Sequence, residues 1–324
     1  PASPANPPAP APDPAPPRAP ERRIRVGTWN IEQFGSRTRG HRTDEDVERI
    51  AAFIRDELRV DLLAVQEVNG AEPLARLCRA LGSDYTFIIG SSGAFRDSDR
   101  RISLGFLWNR RRLRLLGAEE LIDLPDTDPN GIYIFHRKPV MACFRSVDGG
   151  LDFRAIVVHL KAGRRDRGRR GERDSKKRQA EVRLLGERIG ALLARPGEDQ
   201  DLLVLGDFNH DPSYPAHALF RRWVEYLRPA HHHRSIVHFD EQIDHIAIAP
   251  GLREEVLRDT FRIHSRLADA SPSAWRHAYS DHIPLTVDLS SERDNDPEAT
   301  FAPPAPERVL EPGKEAPPER FRPR

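Results

Sequence analysis

Cysteine, methionine and lysine are all scarce in this chain of 324 residues, which has two Cys, one Met and five Lys. Cys78 and Cys143 form no C-x-x-C pair and no metal-ligand spacing, so two buried free thiols are expected, a single disulfide being the other arrangement. No run of about 18 apolar residues occurs, and no membrane span is predicted. An initiator Met and a charged, apolar leader are also missing. The Pro/Ala-rich start then predicts an exported chain, secreted or periplasmic, that has lost its signal, with the cytoplasm as the alternative. Internal repeats at a period of 20–50 residues are absent as well.

With so few Lys, Arg supplies nearly all the positive charge, and the acids bring the formal net charge to +1. Arg richness can come from genome composition, the commoner cause, or from the bidentate grip of guanidinium on phosphate. Residues 1–21 are almost wholly Pro and Ala and read as an extended tail. Residues 291–324 mix Pro, Glu and Arg with isolated apolar residues, too few for a core, and read as a second disordered tail. Residues 22–290 remain as one domain, within the range of layered α/β folds of about 250 residues.

Inside that domain, "RIRVGTWNI" and "DLLAVQEV" read as strands. "TDEDVERIAAFIRDEL" reads as a helix capped by Thr43, and "AEPLARLCRALG" as a short helix closed by Gly82. "YTFIIG", "ISLGFLW" and "PVMACFRS" are further strands, the last paired through the "VDGG" turn with "LDFRAIVVHL". A helix is expected over 175–194 and another over 214–227, with strands at "DLLVLGDFN", "QIDHIAIA" and "IPLTVDL". Many strands with few helices predict two packed sheets flanked by helices.

Polar residues recur where these strands end. Asn30 closes "GTWN", Glu67 closes "LLAVQE", His159 and Lys161 close "IVVHLK", and Asp207 and Asn209 close "LLVLGDFN". Asp244 lies in "QIDHI", and Asp281 and His282 precede the last strand. If those ends face one way, they form one polar site on a rigid scaffold. Asp207 and Asn209, two apart, would share a face of an extended segment with Phe208 turned into packing, although a turn would employ both equally well.

In this order, "TWNIEQFG", "QEV", "HLK", "GDFN", "IDHI" and "SDH" resemble the endonuclease/exonuclease/phosphatase superfamily, the deoxyribonuclease I-like fold, over residues 24–289. The "HLK" variant is most similar to secreted bacterial nuclease-type members. The resemblance implies an α/β/β/α four-layered sandwich of two mainly antiparallel sheets and divalent-metal hydrolysis of phosphoesters. Mg²⁺ is the implied ion, or Mn²⁺ in its place, with Ca²⁺ as an auxiliary ion.

The implied roles follow what in-line attack of water on phosphate requires. Glu67 is the hard-oxygen metal ligand, with Asp281 and the carbonyl oxygen of Asn30 beside it. Asp244 orients His282, which accepts the water proton or stabilises the phosphate. Asp207 holds or deprotonates the water and Asn209 donates to a phosphate oxygen. His159 is a proton donor or phosphate ligand. Its usual Glu partner is missing, since Arg100, Arg101 and Ser103 stand near that place, so a role as cationic phosphate stabiliser is equally open. Arg137 contacts the scissile phosphate, with Tyr133 and Lys161 adding to that subsite. His210 falls outside the motif and reads as a surface or capping residue, and His231 to His233 as a plain loop.

"GRRDRGRRGERDSKKR" (163–178) carries nine basic and three acidic residues just after His159. As a solvated loop next to the site, Arg164, Arg165, Arg169 and Arg170 would contact a polyanion backbone without reading sequence. Asn69 follows "QEV" where the deoxyribonuclease I type has a groove-contacting Arg. The expected protein is therefore a monomeric metal-dependent nuclease with a DNA or RNA substrate. The alternatives are a phosphoesterase of the same fold acting on a small or lipid-linked ester such as an inositol phosphate or sphingomyelin, and an idle nucleic-acid-binding module.

Overall fold

The computed structural model describes residues 22–35, 42–95, 100–163, 169–229, 231, 233–292 and 294–314. The N-terminal tail, residues 315–324, and Arg164 and Arg165 lie outside the described residues.

One sheet contains β1 (Arg23–Phe34), β2 (Leu62–Val68), β3 (Tyr85–Ile89), β4 (Ser103–Asn109), β11 (Arg262–Ile263) and β12 (Leu285–Ser290), in the order β11-β12-β1-β2-β4-β3. The other contains β5 (Leu113–Glu120), β6 (Val140–Ser146), β7 (Asp152–His159), β8 (Leu202–Asp207), β9 (Glu225–Tyr226) and β10 (Asp244–Ile248), in the order β5-β6-β7-β8-β10-β9. Each sheet has one parallel pair, β1 with β2 and β7 with β8, among antiparallel neighbours. Strand residues such as Val26, Ala64, Phe106, Phe144, Val157 and Leu205 meet in a core between the sheets.

Outside the first sheet lie α1 (Asp44–Ala52) and α2 (Ala71–Leu81), whose Ile50, Leu74 and Leu77 pack on Trp29, Val65 and Leu107. The Thr43 cap forms a reciprocal capping box with Asp46. The expected single helix to Leu58 instead widens to π geometry over Phe53–Leu58. Outside the second sheet lies α3 (Arg169–Leu193), with Val182, Leu185 and Ile189 on Ile156, Val204 and Phe208. The four layers expected from the sequence are present. α4 (Arg266–Ala270) and α5 (Pro272–Ala278) lead into β12.

Three expectations change. The helix over 214–227 is two 3₁₀ turns, Pro215–Ala218 and Phe220–Arg222, then β9. The basic stretch is not all loop, because α3 begins at Arg169 and takes in residues 169–178. Residues 294–314 are laid on the domain instead of hanging free. Thr300 pairs with Glu198, Val309 pairs with Glu119, and Leu310 is buried against the intersheet core. Few apolar residues suffice there because the backbone hydrogen bonds to a surface that is already folded. Both cysteines are buried and unpaired.

Candidate active site

Each parallel pair brings two C-terminal strand ends side by side. Asn30 of β1 stands next to Gln66 of β2, and His159 of β7 next to Asp207 of β8. Antiparallel neighbours start where these strands stop. Asp244 opens β10 opposite Asp207, and the chain entering β12, antiparallel to β1, carries Asp281 and His282 to the same rim. Gly206 allows the close fit, since at φ 142° a Cβ there would collide with the Val158 carbonyl oxygen of β7.

Asp207 occupies the centre. Its Oδ2 lies 3.3 Å from His159 Nε2, accepts from Asn30 Nδ2 at 3.2 Å and faces His282 Nε2 at 3.8 Å. Beyond His159 stands Glu67, with Oε1 3.8 Å from the same Nε2. Beyond His282 stands Asp281, with Oδ1 3.9 Å from its Nε2. Acid and imidazole therefore alternate across the rim. On its other side, His282 Nδ1 is 2.8 Å from Asp244 Oδ2.

The surroundings hold these groups rigidly. Ser235 Oγ accepts the Asp244 N–H at 2.9 Å, while the indoles of Trp29 and Trp275 both donate to the His282 carbonyl. Ser280 Oγ accepts the His282 N–H and donates to the Asn30 carbonyl. Glu67, Gln33, Glu32 and Asn209 all have left-handed backbones, with φ between 36° and 60°. Such conformations cost about 1–3 kcal/mol each and gather at functional sites.

Burial pushes the Asp207 carboxyl up to about 7, with the Asp244 charge adding to it. Burial alone would lower His282, yet the Asp244 and Asp207 carboxylates outweigh it and hold the imidazole well above its ordinary value. The proton of this buried pair rests on His282, which has two carboxylates to face. His159 goes the other way: burial, then Arg137 and His282, drive it well below its ordinary value, so it is neutral at pH 7.

Several expected contacts are arranged differently. Asn30 Oδ1 accepts the Glu32 N–H at 3.1 Å, so the amide turns its NH₂ group, not its oxygen, toward Asp207. Asp207 and Asn209 do not share an extended segment, because β8 ends at Asp207 and Asn209 is at φ 58°. There the Asn209 N–H donates to Asp207 Oδ1, and its side-chain NH₂ donates to the Leu160 carbonyl at 2.9 Å. Arg137 donates to the carbonyls of His159 and Leu160 at 2.7 and 2.8 Å, clamping the end of β7 instead of presenting a free fork. Lys161 Nζ lies 3.5 Å from Asp174 on α3, and Tyr133 is 44% exposed with Lys177 Nζ 5.9 Å from its ring centre. Asn69 is engaged with the backbone of Gly35 and Arg101. His210 is buried, against expectation, in contact with His217 and with its carbonyl bonded to His245. His217 comes from the first short turn after β8, which a helical reading of 214–227 hides, and His245 comes from β10.

The sequence reading passed over Ser235, Ser280 and Trp275. Ser280 is the first residue of "SDH" and Trp275 lies shortly before it, but only the fold shows that both hold His282 in place.

The donor set suits a hard divalent cation. Glu67, Asp207, Asp244 and Asp281 place four carboxylates around one imidazolium and the Arg137 guanidinium, an excess of negative charge with oxygen ligands. Ligand atoms of Asp207, Asp244 and His282 also lie within 4.8 Å of one another. Since His282 Nδ1 is committed to Asp244, that trio reads as a hydrogen-bonded pair beside a carboxylate, and Glu67 and Asp281, at the two ends of the rim, are its partly exposed carboxylates.

A model of the Endonuclease/Exonuclease/phosphatase family matches residues 27–282. A deoxyribonuclease of Thioalkalivibrio sp. (strain K90mix) is 30% identical over 215 residues, which is 63% of this chain. The match spans about half, 51%, of that relative. A conserved Enterococcus faecalis V583 protein of unknown function superposes with a TM-score of 0.58 at 18% identity, covering 83% of this chain and 100% of the other. D. rerio TDP2 complexed with a single-strand DNA product superposes with a TM-score of 0.56 at 16% identity, covering 83% and 99%. No helix among the described residues is long and apolar enough to cross a membrane.

Proposed function

Because this chain belongs to the endonuclease/exonuclease/phosphatase family, whose members are metal-dependent phosphoester hydrolases, we propose that it is a nuclease cutting the DNA or RNA backbone with little sequence preference. The observation that carries this reading is the rim itself, where Asp207 stands between a neutral His159 and a charged His282. Asp207, raised to about 7, takes the proton of an attacking water. The His282 imidazolium, held by Asp244, and the Asn30 NH₂ group face the same point and stabilise charge on the phosphoryl oxygens. Glu67 and Asp281 would hold Mg²⁺ or Mn²⁺, which supplies further charge neutralisation at those oxygens.

A polymeric substrate is favoured by the flank of the site. The basic first half of α3 lies beside it, with Lys161 tied to Asp174 and Lys177 set over Tyr133. The 30% identity to a deoxyribonuclease points the same way. The test is a panel of plasmid, single-stranded DNA, RNA, an inositol phosphate and sphingomyelin with Mg²⁺, Mn²⁺ or EDTA. We expect metal-dependent cleavage of nucleic acid, reduced about 10²–10⁴-fold by Asp207→Ala. Hydrolysis of a small ester with nucleic acids intact would overturn the reading, as would metal-independent DNA binding without turnover.

A further inference from the structure

At the other end of β7 and β8, about 20 Å from the catalytic rim at 3.3 Å per residue, five carboxylates crowd together. Asp152 opens β7, Asp199 and Asp201 lead into β8, and Asp294 and Asp296 come from the segment after β12. Ligand oxygens of Asp152, Asp199 and Asp294 lie within 4.8 Å of one another, and so do those of Asp199, Asp201 and Asp296. Asp199 belongs to both groups.

This is not a solvated acidic surface. Asp199 and Asp201 are 0% exposed and Asp152 is 2% exposed. Arg145 pairs with Asp152, while the buried Arg154 pairs with Glu198 instead. Among the described residues, Asp152 Oδ1, Asp199 Oδ2, both oxygens of Asp201 and Asp296 Oδ1 are buried without a hydrogen-bond partner. A buried carboxylate in that state is costly and calls for a proton or a cation. Burial, with neighbouring carboxylates adding to it, pushes Asp199 up to about 9 and Asp201 up to about 8.

We propose that these carboxylates form a calcium site that clasps the 294–300 segment to the bases of β7 and β8. Ligands that are all oxygen select a hard cation over zinc or copper. Ligand oxygens that lie within 4.8 Å of one another can meet at a single ion, since two oxygens on one Ca²⁺ at about 2.4 Å each are at most about 4.8 Å apart. Ligands from two loops and a strand end give the irregular cage that Ca²⁺ accepts and Mg²⁺ resists. The segment is already aligned for it: the Asp199 N–H donates to the Thr300 carbonyl, the Thr300 N–H to the Gly197 carbonyl, and the Gln200 N–H to Asp296 Oδ2.

The test uses the full chain stripped with EDTA, followed by calorimetric titration and thermal melts. Saturating Ca²⁺, about 100-fold above its dissociation constant, should raise Tm by about 5 °C or more, and Mg²⁺ by much less. Asp201→Asn should abolish both the titration and the shift, with a calcium-free Tm no lower than the parent's because no carboxylate then has to take up a proton to be buried there. Should that variant not fold, the half-buried Asp296→Asn gives the same reading. Glu67→Gln, which disables the catalytic rim, should retain the calcium shift. No shift in the parent, an equal shift with Mg²⁺, or a shift that survives in the Asn variants or vanishes in Glu67→Gln would overturn the proposal.

Discussion

His282 Nδ1 lies 2.8 Å from Asp244 Oδ2, while its other ring nitrogen faces Asp207 at 3.8 Å. One imidazole thus bridges two carboxylates, and its charge depends on both. Asp244→Asn keeps the shape of the contact and removes one charge. The His282 pKa should fall, as read by NMR titration, and turnover should drop about 10²–10⁴-fold. An unchanged His282 titration would show that Asp244 does not set its charge.

Arg137 binds two backbone carbonyls at the end of β7. Arg137→Ala should therefore destabilise the fold by about 1–3 kcal/mol, seen as an earlier urea midpoint, and lower kcat through a displaced His159. A raised KM with unchanged stability would instead return Arg137 to a direct phosphate contact.

Burial, followed by the charge of Arg221, lowers His217 from 6.5 to about 4. The folded value lies below the unfolded one, so His217 contributes stability above pH 6.5 that is lost as pH falls toward 4, at most about 3 kcal/mol. Its Nδ1 is 2.6 Å from the Tyr226 hydroxyl. His217→Gln, which can still bond that hydroxyl, should flatten the decline in urea stability between pH 6.5 and 4.5. A slope equal to the parent's would place the proton uptake elsewhere.

Neutralising Arg164, Arg165, Arg169 and Arg170 should reduce the slope of log K against log salt for DNA binding by up to about 3. A slope that stays the same would mean that this basic stretch does not touch the polymer.

Much of this protein was legible in one dimension. Apolar runs bounded by turns marked most strands, and Thr43 and Gly82 marked helix ends, because these signals act within a few residues. β5 was not recognised, since "LRLLGAEE" exposes Arg114 and Leu116 and lacks a clean alternation. The helix expected over 214–227 broke into 3₁₀ turns because the Phe220 and Tyr226 rings pack on Phe208, a demand of tertiary packing that local propensity does not register.

The chemistry divides along the same line. Which residue types end the strands was written in "TWN", "QEV", "HLK", "GDFN" and "SDH", since strand ends and carboxylates are properties of neighbouring residues. Where each group points was decided only by folding. Two parallel pairs bring Asn30, Glu67, His159 and Asp207 to one rim, while strand starts deliver Asp244 and His282 to the same place. The inward turn of Arg137, the reversed Asn30 amide and the buried carboxylates from residues 152 to 296 depend on contacts between residues far apart in the chain, which no local pattern encodes.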